Sequence, residues 1–398
     1  MVGTRGALTS RIALRPRARC ARIAHMAISP EVLGERIELA REAASKTQAE
    51  LAAALGVDRT AISKITSGTR KISALELAAL AKFLGRPLPW FLSDSPAPVV
   101  ARRQAVVRDR PSTLAAELAA EDLAADVEQL RTFGVLPAAP HAGLVGTFNK
   151  IEDVEDASAA ARAARKAAGF GTDALGPMAD VLDDFGLYVT TVVAGEAVDG
   201  VMLPQEGFAV TVINADQSPG RRRFTAAHEL GHYLFDDTYA AEAISGSTSD
   251  HERLVNAFAA EFLLPLDAVR SRWARQLDGE SADLQRIREE AIWLSSTYRM
   301  SWSGILARLG GAGLLDDQQA RALQPNPTLA ELRSYGRQPE EDLCDGDLSA
   351  AVSRAALDAY RDGLIGSSRA SEILRGAGSE LPPPRDPGRN DFRADFYA

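Results

Sequence analysis

Two histidines four residues apart, with a glutamate directly after the first, stand past the middle of this 398-residue chain. They are His228, Glu229 and His232, within Arg223-Phe-Thr-Ala-Ala-His-Glu-Leu-Gly-His-Tyr-Leu-Phe-Asp-Asp237. The run has helical periodicity. On a helix advancing about 100° per residue, the two imidazoles leave the same face about 40° apart, one turn from each other. That is how two nitrogen ligands hold a single Zn²⁺. Glu229, about 100° round from His228, can then serve as general base toward a water at the metal. The pattern also arises by chance in unrelated helices, so its surroundings must decide.

A third ligand can be sought by the same angular argument. After His232 the candidates are Asp236, Asp237, Glu242, Asp250, His251, Glu252 and Glu261. Asp236 and Asp237 follow too closely to fold back easily. The next helix begins at His251 and is stopped by Pro265. With Glu252 at 0°, Asn256 falls at about 40°, Ala259 near 340°, Val255 near 300° and Leu263 near 20°. Glu252 therefore lies on an apolar, inward face, where an unpaired carboxylate is costly. Glu261, near about 180°, lies opposite, so both cannot serve one metal. Glu252 is expected as the third ligand, with Asn256 supporting a ligand from behind. Two histidines and a glutamate, with the fourth position left to water, form the hydrolytic pattern for zinc. Tyr233, Tyr239 and His251 are candidates for stabilising an oxyanion.

Elements that could position this centre precede it. Helices are expected near Val154–Ala168 and over Ala174–Phe185. The period then changes to strand, with Tyr188–Ala194, Gly200–Leu203 and Phe208–Asn214 rich in Val, Thr and Ile and divided by Gly, Asp and Pro. A small antiparallel sheet of about three strands is expected. A strand edge beside a metal would let an extended peptide pair its backbone with the sheet while its carbonyl reaches the cation.

Composition bounds the remainder. The length suggests two or three domains; 46% hydrophobic and 25% charged residues are those of a globular protein. No run approaches the roughly 18 uncharged apolar residues of a membrane span. A net charge of −9 argues against a generally basic nucleic-acid coat but allows one basic face. With only Cys20 and Cys344, a disulfide framework and a cysteine metal site are both excluded, and a reducing cytoplasm is the expected compartment. Residues 1–25 carry six arginines and no acid; they read as an over-extended start ahead of Met26, a basic arm, or a transit peptide.

From Glu31 to Leu92 five short helices are expected. Thr47-x-x-Glu50 and Ser73-x-x-Glu76 are capping boxes, and Asp58 can cap the helix Arg59–Thr66. On that helix Ala61, Ile62 and Ile65 share one side, while Arg59, Thr60, Ser63 and Lys64 present hydroxyls and cations in the spacing of a major-groove reader. The stretch Gln48-x-x-Leu51-Ala-x-x-Leu-Gly56-Val-x-x-x-Ala-Ile62-Ser-x-Ile65-x-x-Gly68 resembles the Cro/repressor-type (XRE) helix-turn-helix family. The resemblance implies base or backbone contacts from Arg59, Thr60, Ser63 and Lys64, and a phosphate contact from Gln48 at its helix start. It also implies a double-stranded DNA operator as partner, with pairing of two copies on a palindromic site.

Further on, Arg223-Phe-Thr-x-Ala-His-Glu-Leu-Gly-His232 followed by Glu252-x-x-x-Asn256-x-Phe-Ala-Ala-Glu-x-Leu-Leu-Pro265 is similar to the ImmA/IrrE zinc metallopeptidase family. The likeness spans about residues 146–324, including Met300–Leu309, which is similar to that family's short winged-helix-like segment. One departure is Leu264, where the family usually has methionine before the proline. The resemblance implies a gluzincin-like core, zinc or manganese as cofactor, and a repressor-type protein as substrate.

The expected fold is therefore multidomain and mainly α with a small sheet: a five-helix helix-turn-helix domain followed by an α+β metallopeptidase-like domain. Its expected divisions are a basic tail over 1–25, the helix-turn-helix domain over 26–95, and a linker with a plain connecting helix near Thr113–Phe133 over 96–145. The peptidase-like domain follows over 146–324, then a tail over 325–398 with helices Ser349–Gly363 and Ser367–Gly376 and a disordered end. His141 is expected as an exposed loop histidine. Two functions fit: a DNA-bound endopeptidase that cuts a repressor-type partner, and a transcription factor whose metallopeptidase-like domain senses a metal or ligand without cutting.

Overall fold

The computed structural model describes residues 28–92, 111–236, 247–375 and 381–383, apart from positions 45, 87, 149, 196, 197, 278–282, 338 and 339. The expectations for the basic tail, Asp237, Tyr239, Glu242 and the acidic end fall outside those residues.

The front of the chain is built from helices α1 (Pro30–Ala43), α2 (Gln48–Leu55), α3 (Arg59–Thr66), α4 (Ala74–Phe83) and α5 (Leu88–Leu92). Their punctuation is local chemistry. Thr47 and Glu50 close a reciprocal capping box, as do Ser73 and Glu76. Asp58 caps α3 by accepting from the Ala61 amide at 2.7 Å. Gly56 ends α2 at φ 64°, a conformation open to glycine at little cost. Ile37, Leu51, Ile62, Leu80 and Phe91 are wholly buried between the five helices.

Helix α6 (Pro111–Thr132) is more than the expected connector. Leu118 enters the core of the front helices, and Trp90 Nε1 donates to Glu121 at 2.6 Å. Ala116, Ala120, Leu123, Val127 and Leu130, on its other side, pack against the sheet. His141 lies in the loop that follows but is half-buried against Phe185, not freely exposed (centroids 5.7 Å apart).

Helices α7 (Val154–Ala167) and α8 (Met178–Asp183) lead to strands β1 (Leu187–Val192), β2 (Gly200–Gln205) and β3 (Phe208–Asn214). The expected antiparallel sheet is corrected: the order is β1-β3-β2, with β2 and β3 antiparallel and β1 and β3 parallel. The β2–β3 hairpin slots β3 into the centre, and β3 is buried at every residue. Both sheet faces are covered, the condition under which parallel pairing is found. Leu187, Val189, Met202, Ala209 and Ile213 share the larger core with α7, α8 and two following helices. Tyr188, Val201, Leu203, Val210 and Val212 face α6 and the C-terminal helices.

The two following helices are α9 (Pro219–Phe235) and α10 (Ser247–Leu263); α11 (Leu266–Leu277), α12 (Leu284–Tyr298), α13 (Trp302–Gly311), α14 (Asp317–Ala322) and α15 (Leu329–Ser334) complete this side. The expected tail is part of the fold. Helices α16 (Ala350–Arg361) and α17 (Ser367–Ile373) pack with α6 on the far sheet face. Just before them the chain runs along β1, where Thr191 N donates to Asp347 O (3.1 Å) and Ser349 N to Val189 O (2.8 Å). Among the described residues, no strand pairs with the outer edge of β2.

Candidate metal centre

Helix α9 is buried along most of its length. Pro219 occupies its first turn, where a missing amide costs nothing, and every residue from Thr225 to Phe235 is buried. Its start is locked by charge. Arg223, wholly buried, donates to the carbonyls of Gly176 (2.9 Å) and Leu175 (3.3 Å) and pairs with Asp342; Arg222 donates to Glu341 at 2.6 Å. Helix α10 packs closely along α9 because Gly231 lies between the histidines and the crossing. A Cβ there would stand 3.0 Å from both Val255 Cγ1 and Phe258 Cδ1. That glycine, inside an otherwise helical run, was the one sequence signal for the close crossing.

The crossing brings His228, His232 and Glu252 to a single point. Nε2 of His228 and Nε2 of His232 are 2.9 Å apart, and the Glu252 oxygens lie 3.3 Å from the first and 3.5 Å from the second. A tetrahedral cation with bonds of about 2.0–2.1 Å holds its ligand atoms about 3.3 Å apart, so the donor set fits one divalent ion. Among the described residues these three form the one such cluster of histidine and acid side chains. Both imidazoles are 1% exposed, whereas Glu252 retains 23%, so the centre is closed by α9 and open on the α10 side.

Asn256, one turn beyond Glu252, lies with Oδ1 3.1 Å from His228 Nδ1. An amide oxygen can only accept, so the imidazole proton sits on Nδ1 and the Nε2 lone pair turns toward the cluster. Glu229, 4% exposed, faces the start of β2: a Cβ on Gly200 would meet Glu229 Oε1 at 3.4 Å and Thr225 Cγ2 at 2.7 Å. Gly200 lets the strand approach the glutamate, a role that sequence reasoning missed. Glu261 is placed elsewhere. It is buried at the far end of α10, paired with Arg308 and with Arg162 at 3.6 Å, and caps the next helix through Leu266 N.

Of the oxyanion candidates, the His251 ring lies beside His232, with centroids 5.8 Å apart. Tyr233 is directed toward Gly186 at the start of β1, and burial pushes its hydroxyl pKa up to about 12, so it remains a neutral donor.

Residues 182–308 match the family model of the IrrE N-terminal-like domain, in the M78 peptidases, and residues 37–91 match that of the helix-turn-helix. The chain joins a helix-turn-helix domain to an IrrE N-terminal-like domain. No curated protein matches it. M78 peptidases are generally metal-dependent, and the His228–His232–Glu252 cluster lies within the matched IrrE-like span.

In the helix-turn-helix domain, α3 buries Ile62 and Ile65 and leaves Arg59, Thr60, Ser63 and Lys64 exposed on one side. Thr60 Oγ1 donates to Asp58 at 2.5 Å, which ties it to the cap. Gln48, at the first turn of α2, is half-buried. No helix among the described residues is long and apolar enough to cross a membrane.

Proposed function

We propose that this chain is a DNA-bound, metal-dependent endopeptidase that relieves or resets transcriptional control by cutting a repressor-type protein. The observation that carries this reading is the convergence of His228, His232 and Glu252, with Glu229 beside them, next to an edge of β2 that no strand pairs among the described residues. Zinc fits the nitrogen-rich donor set, and manganese is the second choice. When bound, the cation supplies Lewis acidity, polarising a peptide carbonyl and bringing the pKa of water toward neutrality.

The chain's own residues do the rest. An extended substrate segment pairs with the outer edge of β2, which holds its backbone at a fixed height above α9. Glu229 takes a proton from the attacking water and passes it to the leaving amine. Asn256 keeps His228 in the tautomer and orientation that leave Nε2 free. His251 donates to the developing oxyanion. Arg59, Thr60, Ser63 and Lys64 of α3 contact the operator, with Gln48 on phosphate, and two copies occupy a palindromic site.

A second reading, a non-cleaving metal or ligand sensor, is favoured by α6, which shares one core with the front helices and another with the sheet. Glu229→Gln separates the two. Metal content should stay at the wild-type level while cleavage of a co-encoded repressor, followed by mass spectrometry, is lost. Regulation in cells that survives this change would sink the endopeptidase reading.

A further inference from the structure

A cleft of about 390 Å³ lies at the start of α9, between Ser218–Gly220, the turn from α12 into α13 and the approach to α15. Arg299, Ser218, Ser296 and Ser303 give it a polar lining, Trp302 and Leu332 an apolar wall, and Glu340 is seated on Arg299. Gly220 stands about 12 Å along the helix from His228, so the cleft is separate from the metal cluster. We infer that it binds a small phosphate monoester, whose phosphate takes the place of Glu340 on Arg299. The inference goes beyond the endopeptidase reading and does not depend on it.

Three observations carry it. The first is the cation. Arg299 ends α12 in the left-handed conformation, φ 55°, where a glycine sits at lower cost. The residue found there brings a guanidinium to the cleft, and 23% of its side chain stays exposed. Forked N–H donors beside serine hydroxyls suit a tetrahedral oxyanion, which accepts more hydrogen bonds than a carboxylate does.

The second is the carboxylate already there. Glu340, Glu341 and Asp342 are consecutive, and each holds an arginine: Arg299, then Arg222 at 2.6 Å, then Arg223. The Arg223–Asp342 pair is buried at both members, whereas Glu340 is 61% exposed. An ion pair that open contributes little, so a phosphate ester carrying nearly two negative charges can displace it. Asp342 meanwhile keeps the segment on α9. Glu340 thus marks both the kind of group that Arg299 accepts and how weakly it is held.

The third is room and rigidity. Small-molecule sites commonly occupy about 300–1,000 Å³, and this cleft falls in that range. A free phosphate fills only the end at Arg299, which leaves the apolar wall for the ester group. That wall is fixed, since Trp302 Nε1 donates to Leu323 O at 2.7 Å. The floor is fixed by Gly220, where a Cβ would stand 2.5 Å from Ser301 N, and by Ser295 Oγ, which donates to Met300 O at 2.9 Å.

The test uses the full chain and titration calorimetry with phenyl phosphate, benzoate and inorganic phosphate at constant ionic strength. Phenyl phosphate should bind at one site per chain, at least about tenfold tighter than either of the others. Arg299→Gln should weaken it at least about tenfold. Glu340→Gln should tighten it about three- to tenfold by removing the competing carboxylate, a gain that misfolding cannot mimic.

Benzoate bound as tightly as phenyl phosphate would overturn the ligand class. No binding of phenyl phosphate to either the wild-type or the Glu340→Gln protein would overturn the site. So would an affinity that neither substitution changes, as for a phosphate held on the metal, or one that both lower. None of these outcomes bears on peptide cleavage, which Glu229→Gln tests separately.

Discussion

Asn256→Leu keeps roughly the volume of the side chain and removes the oxygen that His228 Nδ1 addresses at 3.1 Å. The imidazole is 1% exposed, so water cannot replace the lost acceptor. A buried donor left in that condition costs about 1–3 kcal/mol. The cost falls unequally on the two states of the site. With a cation present, Nε2 must offer its lone pair and the proton has to stay on Nδ1. Without one, the proton can move to Nε2, which lies 2.9 Å from His232 Nε2 and can bond there. The substitution should therefore weaken metal binding about 10- to 100-fold, or about 1.4–2.7 kcal/mol, while the metal-free protein loses little stability. Competition with a fluorescent chelator measures the first quantity and thermal unfolding of metal-free protein the second. Metal affinity within twofold of wild type, or a loss of apo stability as large as the loss in binding, would refute the tautomer argument.

Three further outcomes are expected. Glu252→Ala should leave two histidine ligands and lose most bound zinc on dialysis; full occupancy by metal analysis would remove Glu252 from the ligand set. Arg59→Ala combined with Lys64→Ala should lower operator affinity and reduce the slope of log K against log salt by about 2; an unchanged slope in a salt titration would mean that this face of α3 meets no phosphate. Burial raises the Asp183 pKa to about 6, against an ordinary 3.8, although its carboxylate accepts from Ser349 Oγ and Ala351 N. A raised carboxyl pKa means that the contribution to stability is complete below about pH 3.8 and is lost as pH rises through about 6. Asp183→Asn should thus look better relative to wild type at pH 7 than at pH 4, by up to about 3 kcal/mol; parallel unfolding curves across that range would contradict it.

What could be read from the residues follows their range of interaction. Helix caps such as Thr47–Glu50 and Asp58 act over three residues, and their helices begin where the pattern places them. The i, i+4 geometry of His228 and His232 and the facing position of Glu252 follow from helix angles, so the cluster is legible in the sequence. The pairing of β1 with β3 depends on a choice among distant partners, and nothing in three similar runs of Val, Thr and Ile says that β3 takes the centre. The same holds for Arg223 and Asp342, 119 positions apart, which tie the metal helix to a segment that looked like a polar tail. Gly200 has no sequence signature of its role, because the atoms it makes room for belong to other elements, whereas Gly231 at least interrupts a helical run.

Helix α6 shows why the two halves need not act separately. Its Leu118 is buried in the front core, and its Glu121 and Asp122 hold Trp90 and Arg86 of the front helices. Four residues either side, Leu114 and Asp126 continue these two contacts in opposite directions, the first toward the front core and the second to Arg369 at 2.6 Å on α17. The same helix lays Leu123, Val127 and Leu130 on the sheet face behind β2, the strand whose Gly200 abuts Glu229. A helix packed on both sides moves as a rod, because cores near crystal density yield little to side-chain adjustment. A displacement of the front helices on binding DNA would therefore reach β2 through a single rigid element, and a peptide seated on β2 would press back along it. Such linkage is reciprocal by necessity, so any change that DNA makes in peptide affinity must be matched by the same factor in operator affinity when the peptide is bound.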